Sequence, residues 1–210
     1  MSNGIQHVFV LMLENRSFDH MLGFSGISGT DAVSGGPAPI HGLTLAGGSL
    51  RAIARYWEQH AVSGIVLSLG GKWPPPPPVS LRAMLTPSVS NVFNGQTYGV
   101  TQGADYAMPV DPCHEFLCVV LQLGGTGAVY PFGGNYPPVV NSGYVASYAA
   151  SGGQNNPGEV MKCYSPSQLP VLSTLAQEFV VCDNWHASLP GPTWPNRFFV
   201  HAASSGGAGP

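Results

Sequence analysis

One run of residues constrains this chain more than any other. Ile5 to Leu13 (IQHVFVLML) is almost continuously apolar and rich in branched side chains, and it stops abruptly at the polar cluster Glu14-Asn15-Arg16-Ser17-Phe18-Asp19-His20. A run of that length, ending at polar residues, is what a central strand buried on both faces of a parallel sheet requires. Phe179 to Cys182 (FVVC) is a shorter run of the same kind, closed by Asp183. Before it, Ser165-Pro166-Ser167-Gln168 supplies a cap, a proline for the first helical position and a glutamine able to reach back, ahead of Leu169, Leu172 and Leu175. After it, Pro195 opens PNRFFVHAAS, a helix with its N-terminus near Thr193. Helix, strand and helix in succession predict an α/β fold with a central, mostly parallel sheet flanked by helices.

The rest of the chain is less periodic. Residues 23–48 and 91–158 are rich in Gly, Pro, Tyr and Asn and predict long loops over one rim of the sheet. The 50–90 segment stands apart, with five consecutive prolines from Pro74 to Pro78, and is expected to be an insertion in one domain spanning residues 1–210. Such a polyproline spacer also offers a docking peptide for an aromatic groove. With 210 residues and 44% hydrophobic content, one folded domain is affordable, and disorder is the poorer expectation.

Charge excludes some functions. Only 8% of residues are charged and the formal net charge is -3, with no Lys or Arg run of the kind that displaces counterions from nucleic acid. No stretch reaches the roughly 18 apolar residues of a membrane span. The N-terminus lacks the basic start and cleavage site of a signal peptide, so a cytoplasmic location is the default expectation. Cys113, Cys118, Cys163 and Cys182 follow no zinc spacing, and reduced thiols are expected, with a disulfide left open.

Three places carry residues suited to chemistry. In open α/β sheets ligands bind beyond the carboxyl ends of strands, which is where Glu14 and Asn15 fall. A carboxylate and an amide oxygen there suit a hard cation. By composition alone a second reading stands beside it, with Ser17 or Asn15 capping the next helix and Arg16 pairing with Asp19. In Leu189-Pro190-Gly191-Pro192-Thr193-Trp194-Pro195-Asn196-Arg197, three prolines and a glycine present Thr193 at a helix N-terminus, where phosphate is favoured. A threonine nucleophile needs a base or a metal ion, and an ordinary cap is the alternative. His114, in Asp111-Pro112-Cys113-His114-Glu115-Phe116, can donate to a phosphate oxygen or protonate a leaving group. His186 is a candidate supporting group. Tyr130, Tyr136, Tyr144 and Tyr148 either line a pocket for a cationic headgroup or serve in packing.

The segments HVFVLMLENRSFDHMLG, DPCHEF and CDNWHASLPGPTWPNRFFVHA, in this order, resemble the phosphoesterase family that includes bacterial non-haemolytic phospholipases C and a group of acid phosphatases, related to the alkaline phosphatase superfamily. The resemblance implies an alkaline-phosphatase-like fold and hydrolysis of phosphate esters, phospholipids among them. It implies a divalent metal ion held by Glu14, Asn15 and Thr193, Thr193 as nucleophile through a phospho-threonine intermediate, and His114 near the phosphoryl group. Asn196 and Arg197 are implied on the phosphate side. Family members continue to a C-terminal GGFYDHVPP-like motif that does not occur here, so the domain is expected to be incomplete at its C-terminus. The competing expectation is a catalytically inactive remnant that acts as a binding module.

Overall fold

A computed structural model describes residues 7, 9, 11, 16–40, 42–43, 89–131, 134–183 and 185–207. Helices and short strands are mixed along them. The first helix, α1 (Phe18–Leu22), starts where Ser17 Oγ accepts the His20 backbone N–H at 3.1 Å. Strands β1 (Ser28–Thr30) and β2 (Pro37–Pro39) then pair antiparallel. The strands β3 (Ser90–Phe93) and β4 (Gln96–Gly99) form a hairpin whose two connecting residues, Asn94 and Gly95, have φ of 50° and 77°. Positive φ at both positions is what a tight primed turn needs, and Asn-Gly is the pair that accepts it. β5 (Thr101–Gln102) follows directly.

The described core forms around the middle of the chain. Helix α2 (Phe116–Gly124) packs on α3 (Tyr144–Tyr148), and α3 packs on β3. Val145 and Tyr148 are completely enclosed, and the equally buried Asn91 ties the layers together. Its Nδ2 donates to Asn141 O at 2.9 Å while its Oδ1 accepts from Val145 N at 3.1 Å, so both ends of a buried amide are satisfied. Gln122 on α2 donates to Cys113 O at 2.6 Å and to Ser147 Oγ at 3.0 Å, which adds a second polar tie between helices. A one-turn π segment (Ala149–Gly153) and a 3-10 turn (Pro157–Met161) lead into β6 (Lys162–Cys163). There the buried Glu159 carboxylate meets Lys162 Nζ at 2.8 Å and Asn156 Nδ2 at 2.9 Å.

The Ser165 to Gln168 start signal is present as read: Gln168 Oε1 accepts the Ser165 N–H at 2.9 Å. The helix it opens is broken, however, into a 3-10 turn (Pro166–Gln168) and α4 (Pro170–Glu178). Leu169 sits between them at φ -124°, ψ 58°, because a residue preceding proline is pushed out of the α region. The last helix, α5 (Thr193–Ala202), begins at Thr193 as expected.

The expected sheet differs. Among the described residues the strands form three two-stranded pairs, and the parallel pair is β5 with β6. Phe179 to Cys182 carries no ladder, and Phe179 and Val180 are 71% and 83% exposed, since no described strand lies alongside to take up their backbone groups. The Ile5 to Leu13 run lies largely outside the described residues, and its described members Phe9 and Leu11 are exposed. The 91–158 region holds more structure than expected, because the Asn94-Gly95 turn and the apolar run after His114 each organise a local element. The 50–88 residues, including Pro74 to Pro78, lie outside the described set. No described helix is long and apolar enough to cross a membrane.

Candidate active site

A cavity of about 540 Å³ opens between α1, the Asp111 to His114 turn and the α3–β6 region. Arg16 to His20, the described part of the polar cluster that ends the first apolar run, form one wall. Asp111, Cys113 and His114 form a second wall, and Tyr144 and Tyr148 line the far side beside Met161 and Cys163. The four tyrosines named above therefore divide. Tyr144 and Tyr148 border the cavity, while Tyr130 and Tyr136 stack at 4.8 Å and pack with Phe116, whose ring lies 5.1 Å from that of Tyr130.

His114 is half-exposed at the rim. Its Nδ1 lies 3.2 Å from Pro112 O and 3.9 Å from the Asp111 carboxylate. An Nδ1–H donated to that carbonyl leaves Nε2 as the nitrogen that exchanges a proton with a ligand. The turn carrying His114 is held from both sides: Cys113 O accepts from Gln122, and Cys113 is joined by a disulfide to Cys118 in the first turn of α2. The expectation of four reduced thiols is corrected by this bond. Five residues across the start of a helix bring the two Cα atoms to 5.9 Å, within disulfide range. Cys163 is buried and Cys182 exposed, both as free thiols. Burial, with a smaller contribution from Asp19, pushes the Cys163 thiol up to about 12 and keeps it protonated.

Thr193 opens α5 half-buried, and the loop before it is tied to the helix by one side chain. Asn196 Oδ1 accepts Leu189 N at 3.0 Å, and its Nδ2 donates to Leu189 O and Pro192 O, each at 3.0 Å. The same loop passes the start of α2, where a Cβ on Gly191 would stand 3.7 Å from Phe116 Cα. Thr193 and His114 are thus each two residues from a single backbone approach. Thr193 is not part of the wall of the 540 Å³ cavity. Arg197 is half-buried on the same helix. His186 borders a separate cleft of about 290 Å³ with Trp185 and Phe199. Glu14 and Asn15 lie outside the described residues, and among those described no three His, Cys, Asp or Glu side chains cluster as a metal site.

Two residues absent from the sequence reading shape the first wall. Tyr164, buried, stacks between the rings of His20 (4.9 Å) and Tyr106 (5.6 Å). Arg16 donates through Nε to Tyr164 Oη at 3.3 Å and through Nη2 to Tyr106 O at 3.1 Å. No local pattern announces contacts 148 and 90 residues apart. Burial foremost, and then the Arg16 charge, lowers the His20 pKa from 6.5 to about 4, and its Nε2 is enclosed without a hydrogen-bond partner.

Comparison with known proteins gives the chain a family. The phosphoesterase family model matches residues 5–210, and the chain belongs to that family. Among curated proteins it is similar to the non-specific phospholipases C6 and C3 of Arabidopsis thaliana, each 31% identical over 97% of this chain. It is 30% identical to non-specific phospholipase C1 of the same plant, again over 97% of the chain. The chain spans 28 to 30% of the length of these relatives.

Proposed function

We propose that this chain contributes to metal-dependent hydrolysis of phosphate ester bonds, with Thr193 as nucleophile and His114 as the proton-exchanging group. The observation that carries this reading is the passage of the Gly191 loop against the start of α2, in a chain matched by the family over residues 5–210. Names of the relatives, all phospholipases C, favour a phospholipid or a related phosphodiester as substrate. In the first step Thr193 Oγ bonds to phosphorus and its proton passes to solvent water while the ester P–O bond breaks. His114 Nε2, when protonated, donates to the departing alkoxide oxygen. Water then cleaves the phospho-threonine, returning the threonine hydroxyl and releasing phosphate or a phospho-headgroup.

Glu14, Asn15 and Thr193 would hold the divalent cation: their carboxylate, amide and hydroxyl donors are all oxygen, a set that fits a hard ion. When bound, such an ion neutralises developing charge on the phosphoryl group. Asn196 and Arg197 belong to the phosphate side, Asn196 by holding the Thr193 loop and Arg197 by its charge one residue further on. The same reading places Ile5 to Leu13 in a mostly parallel, alkaline-phosphatase-like sheet of one domain, with the 50–90 segment inserted.

Hydrolysis of p-nitrophenyl phosphate and p-nitrophenyl phosphorylcholine, with and without added divalent metals, tests it. Turnover that needs metal and disappears in Thr193→Ala is expected, with the diester preferred. Metal-independent turnover, or full activity in Thr193→Ala, refutes the assignment. A folded chain with no turnover favours the alternative, a binding module.

A further inference from the structure

The turn that carries His114 is held by a covalent bond that thiols can open, which leads beyond the proposed function while resting on it. His114 stands directly after Cys113, and the Cys113–Cys118 bridge ties Cys113 to the third residue of α2, so His114 and Glu115 span a fixed gap. The bond that usually fixes a helix start is missing here. Glu115 is the residue before α2, yet its side chain makes no hydrogen bond to the helix. His114 Nδ1 meets Pro112 O and the Asp111 carboxylate, both within its own turn. Gln122 Nε2 donates to Cys113 O and to Ser147 Oγ, which secures the backbone before His114 and not after it. Both cysteines are partly exposed, and Cys113 borders the cavity, so a small dithiol reaches the sulfurs. Exposed bridges are the ones that thiols reduce most readily. The core does not depend on this bond: α2, α3 and β3 pack through Val145, Tyr148 and Asn91. A bridge between residues five apart also restricts the unfolded chain less than a long-range one. Reduction therefore loosens the turn without unfolding the chain.

We propose that the Cys113–Cys118 bridge is a redox switch on the active site: closed, it fixes the His114 turn for proton transfer, and reduced by an external dithiol, it frees that turn. In the exchange a thiolate of the dithiol attacks one sulfur of the bridge and the S–S bond breaks. The other cysteine leaves as a thiolate and takes a proton from water. The second thiol of the dithiol, losing its own proton to water, then displaces the first cysteine, which is protonated in turn. The dithiol ends as a disulfide, and the bridge has taken up two electrons and two protons. Cys163 takes no part, since its buried thiol stays protonated and only thiolates exchange.

The test uses the whole chain with the exposed Cys182 replaced (Cys182→Ser), in three forms: oxidised, reduced with dithiothreitol, and carrying Cys113→Ser with Cys118→Ser. Circular dichroism and the urea midpoint report folding, and mass spectrometry after alkylation reports the state of the bridge. Backbone order parameters of Cys113 to Glu115 should fall from about 0.85 to below about 0.6 on reduction, with α3 unchanged and recovery on reoxidation. Turnover is compared for p-nitrophenyl phosphorylcholine, whose phenolate leaves without a proton, and a short-chain phosphatidylcholine, whose alkoxide needs one. Reduction should lower kcat about tenfold for the second and less than about threefold for the first, part of what a positioned acid contributes. The chain without the two cysteines should match the reduced form and ignore the dithiol. Unchanged order parameters in a reduced, folded chain overturn the switch whether or not the chain turns over, as does a bridge that opens only once the chain unfolds. Equal losses for the two substrates overturn its action through His114. Unchanged turnover in oxidised His114→Ala overturns the proposed role of His114 and the catalytic control with it, whereas a His114-dependent chain that works equally well when reduced overturns the switch alone.

Discussion

Replacing Asn196 by alanine should cost the loop before Thr193 its order, and the size of the effect follows from three contacts. The amide accepts from Leu189 N and donates to Leu189 O and Pro192 O, all at 3.0 Å. A neutral hydrogen bond contributes about 0.5–1.5 kcal/mol net, and half-buried backbone groups released here regain water, so the lower half of that range applies. The three together give about 2 kcal/mol. If that order must be restored before Thr193 can react, kcat/KM falls roughly 30-fold, at about 1.4 kcal/mol per decade. The assay is kcat/KM for p-nitrophenyl phosphorylcholine beside urea unfolding of the same samples. Asn196→Asp sharpens it: the carboxylate still accepts Leu189 N–H but turns an acceptor toward two carbonyl oxygens, so at neutral pH it should be at least as damaging as alanine. An Asn196→Asp variant with unchanged activity and stability, or an alanine variant that loses less than threefold in kcat/KM, would refute the reasoning.

Two further expectations follow from the same region. The Cys113–Cys118 bond closes a short loop, so Cys113→Ser with Cys118→Ser should lower unfolding free energy by about 2 kcal/mol, and thiol titration of the denatured native chain should find the two free cysteines, Cys163 and Cys182; four titratable thiols would disprove the bond. The buried, neutral His20 binds a proton less readily folded than unfolded, so its contribution is complete above pH 6.5 and is lost as pH falls from 6.5 toward about 4. Stability against urea measured across that range should decline less steeply in His20→Gln than in the native chain, and equal slopes would show that folding does not lower the His20 pKa.

How much of this was legible depended on the range of the interaction. Ser165, Pro166 and Gln168 announced a helix start because the cap is made within four residues, and the Gln168 side-chain Oε1 accepts the Ser165 N–H. Thr193 opening α5 was legible for the same reason, the proline-rich approach acting locally. Local signals also went unused: Asn94-Gly95 is a hairpin signature, and the reading of 91–158 as loops overlooked it. Phe179 to Cys182 shows the opposite error. Four apolar residues have the composition of a buried strand, but a strand exists only through its neighbours, and none of the described strands pairs with it.

The active-site wall was the least legible part, for a reason tied to how it works. Glu14, Asn15 and His114 are polar residues at the ends of apolar runs, a local contrast that a sequence displays. What holds the Arg16 to His20 wall is Tyr164, one tyrosine among eight, which gains its meaning only from its ring contacts with His20 and Tyr106 and from receiving the Arg16 guanidinium. A side chain that performs chemistry must be of a particular type, and its type can be read. A side chain that positions others need only be the right shape in the right place, and place is a property of the folded chain. The Asn196 amide makes the same point from the other end of the molecule: its position beside Thr193 suggested a ligand for phosphate, while its three contacts of 3.0 Å are with the backbone of the loop that presents Thr193.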